Sequence, residues 1–245
     1  MKICVSSGKG GVGKTSIVVN LAYCLAEKGK KVLVVDGDLG LANVDVLLGI
    51  SATKTISDVM DRGADPLEAL IRPSDNLAIL PASSGAPDMV TLGPEEQERL
   101  GGYLDNVSSH FDVLLADTAA GIGPSVLWFN GFVDRSIVVM SSDPTSLTDA
   151  YALMKVLKTD YELERFYVIM NLVRSEEQAR KAFKTVADAG KRFLSLDLEY
   201  LGWVLQDMAV PEAVRKQKPF VLTAPNAPAT QCIWKLAQTI LDWKQ

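Results

Sequence analysis

Short apolar runs alternate with amphipathic stretches along most of this chain. The apolar runs that indicate buried strands lie near Ile3, Val32, Leu77, Val113, Ile137, Tyr167 and Leu201. Apolar residues recur at helical spacing over residues 94–109, 146–160 and 175–193, whereas residues 82–94 are rich in Ser, Gly and Pro and predict a loop. Strands that alternate with helices predict an α/β fold, a doubly wound, mostly parallel sheet with helices on both faces. No linker interrupts the pattern, so we expect a single domain over residues 1–245.

A glycine-rich loop follows the first predicted strand. Residues 8–15 fit the phosphate-loop pattern G-x-x-x-x-G-K-[ST], and a helical pattern follows over residues 17–25. Glycines let the backbone N–H groups approach phosphate oxygens, and the helix start adds partial positive charge. Lys14 supplies a full charge, and the Thr15 hydroxyl is suited to ligate magnesium. The pattern predicts binding of a nucleoside triphosphate with Mg²⁺, and a chance glycine turn is the alternative. The residues expected to contact the nucleotide are Gly10, Gly11, Val12, Gly13, Lys14, Thr15 and Ser16.

Aspartates follow two other predicted strands. The apolar run 32–35 ends at Asp36 and Asp38, and the run 111–116 ends at Asp117. Carboxylates at the carboxyl ends of buried strands point into the crevice where open α/β sheets bind ligands. Asp117 has the form of a Walker B aspartate, so we expect Thr15, Asp36 and Asp117 to form the metal site and Asp38 to position or activate the attacking water. For each single aspartate, a turn or a helix cap is the alternative.

An additional lysine, Lys9, lies inside the phosphate loop. A solvated side chain is its ordinary role, but a second ammonium among glycines can stabilise charge that develops during phosphoryl transfer. Residues 9–15, K-G-G-V-G-K-T, resemble the deviant Walker A signature of the MinD/ParA ATPases. In that family the first lysine reaches the nucleotide of the partner subunit. The resemblance therefore implies an ATPase that binds ATP or ADP and forms a homodimer with ATP, with Lys9, Lys14 and Asp38 as catalytic residues.

Longer segments resemble one branch of that family, the FlhG/FleN regulators of flagellum number. The segments that carry this resemblance are residues 36–49, 55–59, 117–123, 143–153, 192–194 and 214–217, and the likeness extends from residue 3 to about residue 243. The resemblance implies a switch with slow hydrolysis that regulates flagellar number, placement or biosynthesis. It implies flagellar partners: the SRP-type GTPase FlhF, a flagellar transcription regulator or switch-complex proteins. Residues 43–48 and 143–150 are candidate partner-facing segments, with ordinary loop and capping roles as the alternative.

The same resemblance assigns adenine contacts. Asn171 follows the apolar run 166–170 and matches an asparagine that recognises adenine in the family, a strand-end turn being the alternative. Asp207 falls where the family has a Pro-x-Asp adenine loop, and Leu205 replaces the proline, so the loop geometry of the family does not carry over directly. Gly37 stands where the family more often has alanine, a difference that we expect to matter little.

Charge and cysteine content disfavour several other functions. The 25 basic and 30 acidic residues give a net charge of −5, whereas a sequence-independent DNA binder is more often basic, so direct nucleic-acid binding is disfavoured. The three cysteines lack metal-ligand spacing, which disfavours zinc sites and an iron–sulfur carrier. No signal peptide or apolar stretch of about 18 residues is present, so we expect a cytoplasmic protein.

The last predicted helix is the candidate for membrane contact. Its apolar stripe consists of Ile233, Leu236, Ala237, Ile240 and Leu241. We favour packing on the sheet, with an amphipathic anchor at the inner membrane face or the cell pole as the alternative. Some relatives also have an N-terminal activator segment with a DQA motif for stimulating FlhF, and its absence from this sequence argues against that activity.

Two other function classes stay open at this point. One is a DNA- or cargo-positioning ATPase of the ParA type, for which salt-sensitive DNA binding only with ATP would be the support. The other is a nucleotide-binding regulatory scaffold with little hydrolysis.

Overall fold

The computed structural model describes residues 1–39, 43–62, 65–82 and 93–243, without the side chains of residues 61 and 62. One eight-stranded sheet has the order β3-β4-β2-β5-β1-β6-β7-β8. Every neighbouring pair is parallel except β3 with β4. The strands are β1 Lys2–Ser7, β2 Val32–Gly37, β3 Ile71–Ser74, β4 Leu77–Leu80, β5 Val113–Ala120, β6 Arg135–Met140, β7 Arg165–Val173 and β8 Asp197–Leu205.

Helices connect the strands and cover the sheet. They are α1 Lys14–Glu27, α2 Val44–Leu48, α3 Ile56–Arg62, α4 Pro94–Ser108, α5 Pro124–Phe132, α6 Pro144–Tyr161, α7 Glu176–Leu194, α8 Ala209–Arg215, α9 Phe220–Thr223 and α10 Pro228–Leu241. The predicted α/β fold with a mostly parallel, doubly wound sheet is confirmed.

One strand was not predicted. β3 is a four-residue strand that pairs antiparallel with β4 at the edge of the sheet. It contains Pro73, which cannot donate a ladder hydrogen bond and therefore weakens a strand pattern in the sequence. The predicted loop over residues 82–94 lies largely outside the described residues.

Alternation along the strands separates the core into layers on the two faces of the sheet. Ile3 and Val5 pack with α1 and α10 on one face, whereas Cys4, between them, packs with residues of α3, α4 and α5 on the other. A further cluster joins α6 and α7 to β6 and β7 on that second side. Because helices bury both faces, the central strands are almost wholly apolar up to their carboxyl ends, where the polar residues begin.

The apolar stripe of α10 is packed inside the molecule. Ile233, Leu236 and Ile240 are at most 1% exposed and contact the core that α1 forms with the sheet. Beyond the helix, the Trp243 ring lies 4.4 Å from the Tyr167 ring. The packed arrangement that we favoured for this helix is confirmed. In the described part of the chain, no helix combines the length and apolarity that a bilayer crossing requires.

Candidate functional site

The glycine-rich loop lies between β1 and α1, at the carboxyl edge of the sheet. Gly13 is the N-cap of α1, with φ of 84°, and it gives no side-chain hydrogen bond to the first turn. A Cβ at Gly13 would lie 2.4 Å from Asn171 Nδ2, and a Cβ at Gly8 would lie 2.1 Å from the backbone of Asp149 in α6. These two glycines are therefore required for the loop to pack against its neighbours. The first N–H groups of α1 have no side-chain cap and are available to a ligand.

Lys14, Thr15 and Asp117 form one buried contact at the start of α1. Lys14 Nζ lies 2.9 Å from Asp117 Oδ1, and their side chains are 9% and 1% exposed. The Thr15 hydroxyl also faces the Asp117 carboxylate. Burial raises the pKa of Asp117, while the Lys14 charge, the Thr15 hydroxyl and the Lys14 hydrogen bond oppose that rise. A carboxylate, a hydroxyl and an ammonium therefore meet at the phosphate loop, and their roles toward phosphate and Mg²⁺ stay predictions.

Asp36 lies beside Asp117, since β2 and β5 pair these two residues in register. Its carboxylate accepts hydrogen bonds from the backbone N–H groups of Asp38, Asn43 and Val44 at 3.1, 2.9 and 3.1 Å. Burial, and then the Asp117 charge, raise the pKa of Asp36 to about 7, against these backbone donors. The structure thus shows Asp36 in the capping arrangement considered above, and its metal role stays a prediction.

Asp38 and Lys9 each make contacts within their own chain. Asp38 is partly exposed, and its Oδ2 lies 3.5 Å from Asn43 Nδ2. Lys9 Nζ donates to Thr145 Oγ1 at 2.7 Å, at the start of α6. The structure tests neither the catalytic role of Asp38 nor the contact of Lys9 with a partner subunit.

A cavity of about 860 Å³ adjoins the phosphate loop. It brings the predicted adenine residues Asn171, Leu205 and Asp207 together with Gly13 and Ser16 of the loop. The sequence predicted no ligand contact for the other lining residues, which come mostly from the end of β7, from α8 and from α9; they include Arg174, Met208, Val210, Val214 and Phe220.

The two polar adenine candidates bond to the protein itself. Asn171 Nδ2 donates to the Val12 carbonyl at 2.7 Å, which ties the end of β7 to the phosphate loop. The Asp207 carboxylate accepts from the N–H groups of Ala209 and Ala229 at 2.9 and 3.1 Å. Asp207 therefore joins the starts of α8 and α10, and its predicted contact with the base is not tested.

The residues present fit a nucleotide. Ser16 Oγ is buried and has no hydrogen-bond partner within the described part of the protein. No atom lies within 4 Å of a Cβ built on Gly11, so open space lies over the loop. Lys14 and the uncapped helix start supply the positive charge that phosphates require.

The same residues fit magnesium with phosphate oxygens and water. Mg²⁺ takes oxygen ligands and keeps several waters, and the Thr15 hydroxyl and Asp117 carboxylate supply such oxygens side by side. Among the described residues, no cluster of three or more His, Cys, Asp or Glu side chains could hold a metal ion by itself. The three cysteines Cys4, Cys24 and Cys232 are buried, and burial raises the pKa of each thiol.

A strand, a Gly-Lys-Thr loop and a helix at the carboxyl edge of a parallel sheet define a P-loop NTPase. The ParA family model, described as "NUBPL iron-transfer P-loop NTPase", matches residues 1–241. The chain is 40% identical to the antiactivator FleN of Pseudomonas aeruginosa, over 98% of this chain and 86% of FleN. It is 34% identical to the flagellum site-determining protein YlxH of Helicobacter pylori, over 98% of this chain and 81% of YlxH.

A solved structure shows the same fold. The septum site-determining protein MinD from Pyrococcus horikoshii, complexed with Mg-ADP, superposes with a TM-score of 0.80 at 27% identity, over 98% of this chain and 96% of that one. The chain therefore belongs to the ParA/MinD family of P-loop NTPases. The resemblance to its FlhG/FleN branch is confirmed as well.

Proposed function

We propose that this protein is an ATP-dependent dimerising switch that hydrolyses ATP slowly with Mg²⁺ and regulates flagellar number, placement or biosynthesis. The observation that carries the proposal is the buried contact of Lys14, Thr15 and Asp117, directly beside the cavity that Gly13 and Ser16 line. The identities to FleN and YlxH support a flagellar readout. The proposal treats residues 1–245 as one ATPase domain.

Binding of ATP requires Lys14 to exchange its ion pair for phosphate oxygens. The ammonium now faces Asp117, so phosphates would compete with that carboxylate for the same charge. Asp117 and Thr15, once released, can hold Mg²⁺, which when bound neutralises phosphate charge and orients the outer phosphates. Magnesium and ATP should therefore bind together and displace one buried ion pair.

Hydrolysis and dimerisation would depend on Asp38 and Lys9. Asp38 is partly exposed at the carboxyl edge, where it can position a water molecule against the terminal phosphate. Lys9 would leave Thr145 and reach the nucleotide of a second copy. Phosphate charge buried between two copies would give ATP a higher affinity for the dimer than for the monomer, as a switch requires.

Molar mass in solution tests the switch directly. We would measure it by light scattering with Mg-ADP and with Mg-ATP, for the wild type, Asp38→Ala and Lys9→Ala. We expect a dimer only with ATP, which persists longest in Asp38→Ala because hydrolysis is blocked, and no dimer in Lys9→Ala. Lys184→Ala, which removes an exposed lysine of α7, is the matched control and should dimerise as the wild type does. Monomers under every condition would rule out the dimerising switch.

The flagellar role needs a separate test, because an ATPase switch could serve another process. We would introduce Lys14→Ala into the gene in its own host and count the flagella per cell by electron microscopy. An altered number or position is expected. Unchanged flagella would overturn the flagellar role and leave the ATPase proposal standing.

A further inference from the structure

The short helix α2, which follows the Asp36 and Asp38 segment, is held by side chains from outside the helix. At its start, the Asp36 carboxylate accepts the N–H groups of Asn43 and Val44. Near its end, Gln217 Nε2 donates to the Val46 carbonyl at 2.9 Å, across 171 residues of sequence. A five-residue helix is not stable by itself, so such contacts determine where it lies.

Gln217 is itself fixed to α8. Its N–H donates to the Val214 carbonyl at 3.0 Å, and the next residue, Lys218, donates to the Ala213 carbonyl at 3.1 Å. Gln217 has φ of 52°, in the left-handed region that few non-glycine residues occupy. A Cβ at Gly49, just after α2, would lie 3.1 Å from Gln217 Cβ. The end of α8 and the end of α2 therefore approach each other closely, with the Gln217 amide as the hydrogen bond between them.

The helix α8 is also a wall of the cavity beside the phosphate loop. Val214 and Arg215 line that cavity together with Asn171. Asp207, another lining residue, accepts the N–H of Ala209 and so fixes the start of α8. A ligand that fills the cavity must contact α8, and a shift of α8 would move Gln217 and, with it, the end of α2.

We propose that Gln217 is a positioning residue that couples occupancy of this cavity to the position of α2 and the Asp36–Asp38 segment. The inference rests on the proposed function, because the occupant that fits is the nucleoside part of a nucleotide whose phosphates lie on the loop at Gly13 and Lys14. The phosphate side of the site acts on α2 through Asp117 and Asp36. The nucleoside side acts on α2 through Gln217. This coupling gives a physical role to residues 214–217, one of the segments that resemble the FlhG/FleN branch.

Amide hydrogen exchange over residues 44–50, with and without Mg-ADP, tests this coupling. The variants are Gln217→Leu and Gln217→Glu, because both lack the amide donor and the second keeps the side-chain length. We expect roughly fivefold faster exchange in both variants, the effect of losing one ordinary hydrogen bond. We also expect Mg-ADP to change exchange at these residues in the wild type and no longer in the variants. Gln231→Leu, at an exposed glutamine of α10 bonded to Asn226, should behave as the wild type does.

Calorimetric titration with Mg-ADP and steady-state ATP hydrolysis complete the test. If Gln217 has a merely structural role, the variants should lose stability without a separate effect on kcat and KM. If Gln217 has a positioning role, the variants should have a kcat that is several-fold lower, with the ADP affinity and the KM for ATP within about twofold of the wild type. If the variants keep the wild-type exchange rates or their response to ADP, the inference is wrong although the proposed function stands. If the wild type binds no ADP, the proposed function fails and the inference fails with it.

Discussion

Gly37, between Asp36 and Asp38, has no room for a side chain. A Cβ there would lie 2.7 Å from Phe129 Cε2 and 3.0 Å from the Asp117 carbonyl oxygen, and Phe129 is fully buried. This packing argues against the expectation that alanine at this position would matter little. The cause is a contact with an aromatic ring 92 residues away in the chain, which the sequence around Gly37 does not reveal.

We predict that Gly37→Ala lowers the free energy of unfolding by about 1–3 kcal/mol, because the added methyl group overpacks the core against Phe129. Urea denaturation measures this change. Gly102→Ala is the matched control, since nothing lies within 4 Å of a Cβ at Gly102 in α4, and alanine there should be neutral or stabilising. Phe129→Leu should relieve part of the loss in the double variant. Equal stability of Gly37→Ala and the wild type would contradict the steric argument.

Asp36 makes the stability of the metal-free protein depend on pH. Its pKa rises from an ordinary 3.8 to about 7 on folding, chiefly through burial. Between these values the folded protein keeps a proton on Asp36 that the unfolded chain releases. The contribution of this proton to the free energy of unfolding is therefore fully present below about pH 4 and is lost as the pH rises through about 7. The side chain in Asp36→Asn does not titrate. The backbone hydrogen bond that this variant loses therefore lowers its free energy of unfolding by the same amount at every pH.

We predict that the stability advantage of the wild type over Asp36→Asn falls by up to about 1.4 kcal/mol per pH unit between pH 4 and pH 7. Urea denaturation of both proteins in the presence of a metal chelator measures this difference. A difference that stays constant across the range would show that Asp36 is ionised throughout it.

At the scale of the element, the last helix is held by an aromatic contact beyond its end. The Trp243 ring lies 4.4 Å from the Tyr167 ring, and the Arg135 guanidinium lies 4.7 Å from the centre of the Trp243 ring. We predict that Trp243→Ala lowers the free energy of unfolding by about 1–3 kcal/mol and increases amide exchange in the last turn of α10. Trp243→Phe keeps a ring and should retain most of the stability. Unchanged exchange in α10 would show that the helix is held without this contact.

Elements with a strong local pattern could be predicted, and elements that depend on distant partners could not. The strands around Ile3 and Val113 and the Gly-Lys-Thr loop are encoded in consecutive residues, so the fold and the phosphate end of the site followed from the sequence. The edge strand with Pro73 and the cavity wall formed by α8 carry no such pattern. The hydrogen bond of Gln217 to Val46 joins segments 171 residues apart, and only the folded sheet brings them together.

At the scale of the whole molecule, the proposed dimer requires Lys9 to exchange one partner for another. Within its own chain, Lys9 Nζ donates to Thr145 Oγ1 at 2.7 Å, and this hydrogen bond must break before the lysine can reach a second copy. Thr145→Val keeps the side-chain shape and removes the acceptor. A typical hydrogen bond contributes about 0.5–1.5 kcal/mol net, and we take this range for the solvent-exposed bond of Lys9, so its loss should strengthen the dimer about two- to tenfold for each Lys9.

Sedimentation with Mg-ATP, in an Asp38→Ala background that preserves the nucleotide, measures this dissociation constant. Thr148→Val is the matched control, because the Thr148 hydroxyl bonds to the Pro144 carbonyl of the same helix and does not contact Lys9. Lys9→Ala should form no dimer with either residue at position 145, since the ammonium that reaches the second copy is then missing. If Thr145→Val leaves dimerisation unchanged while Lys9→Ala prevents it, the lysine acts across the interface without competition from its own chain. If neither change affects dimerisation, Lys9 does not take part in the interface.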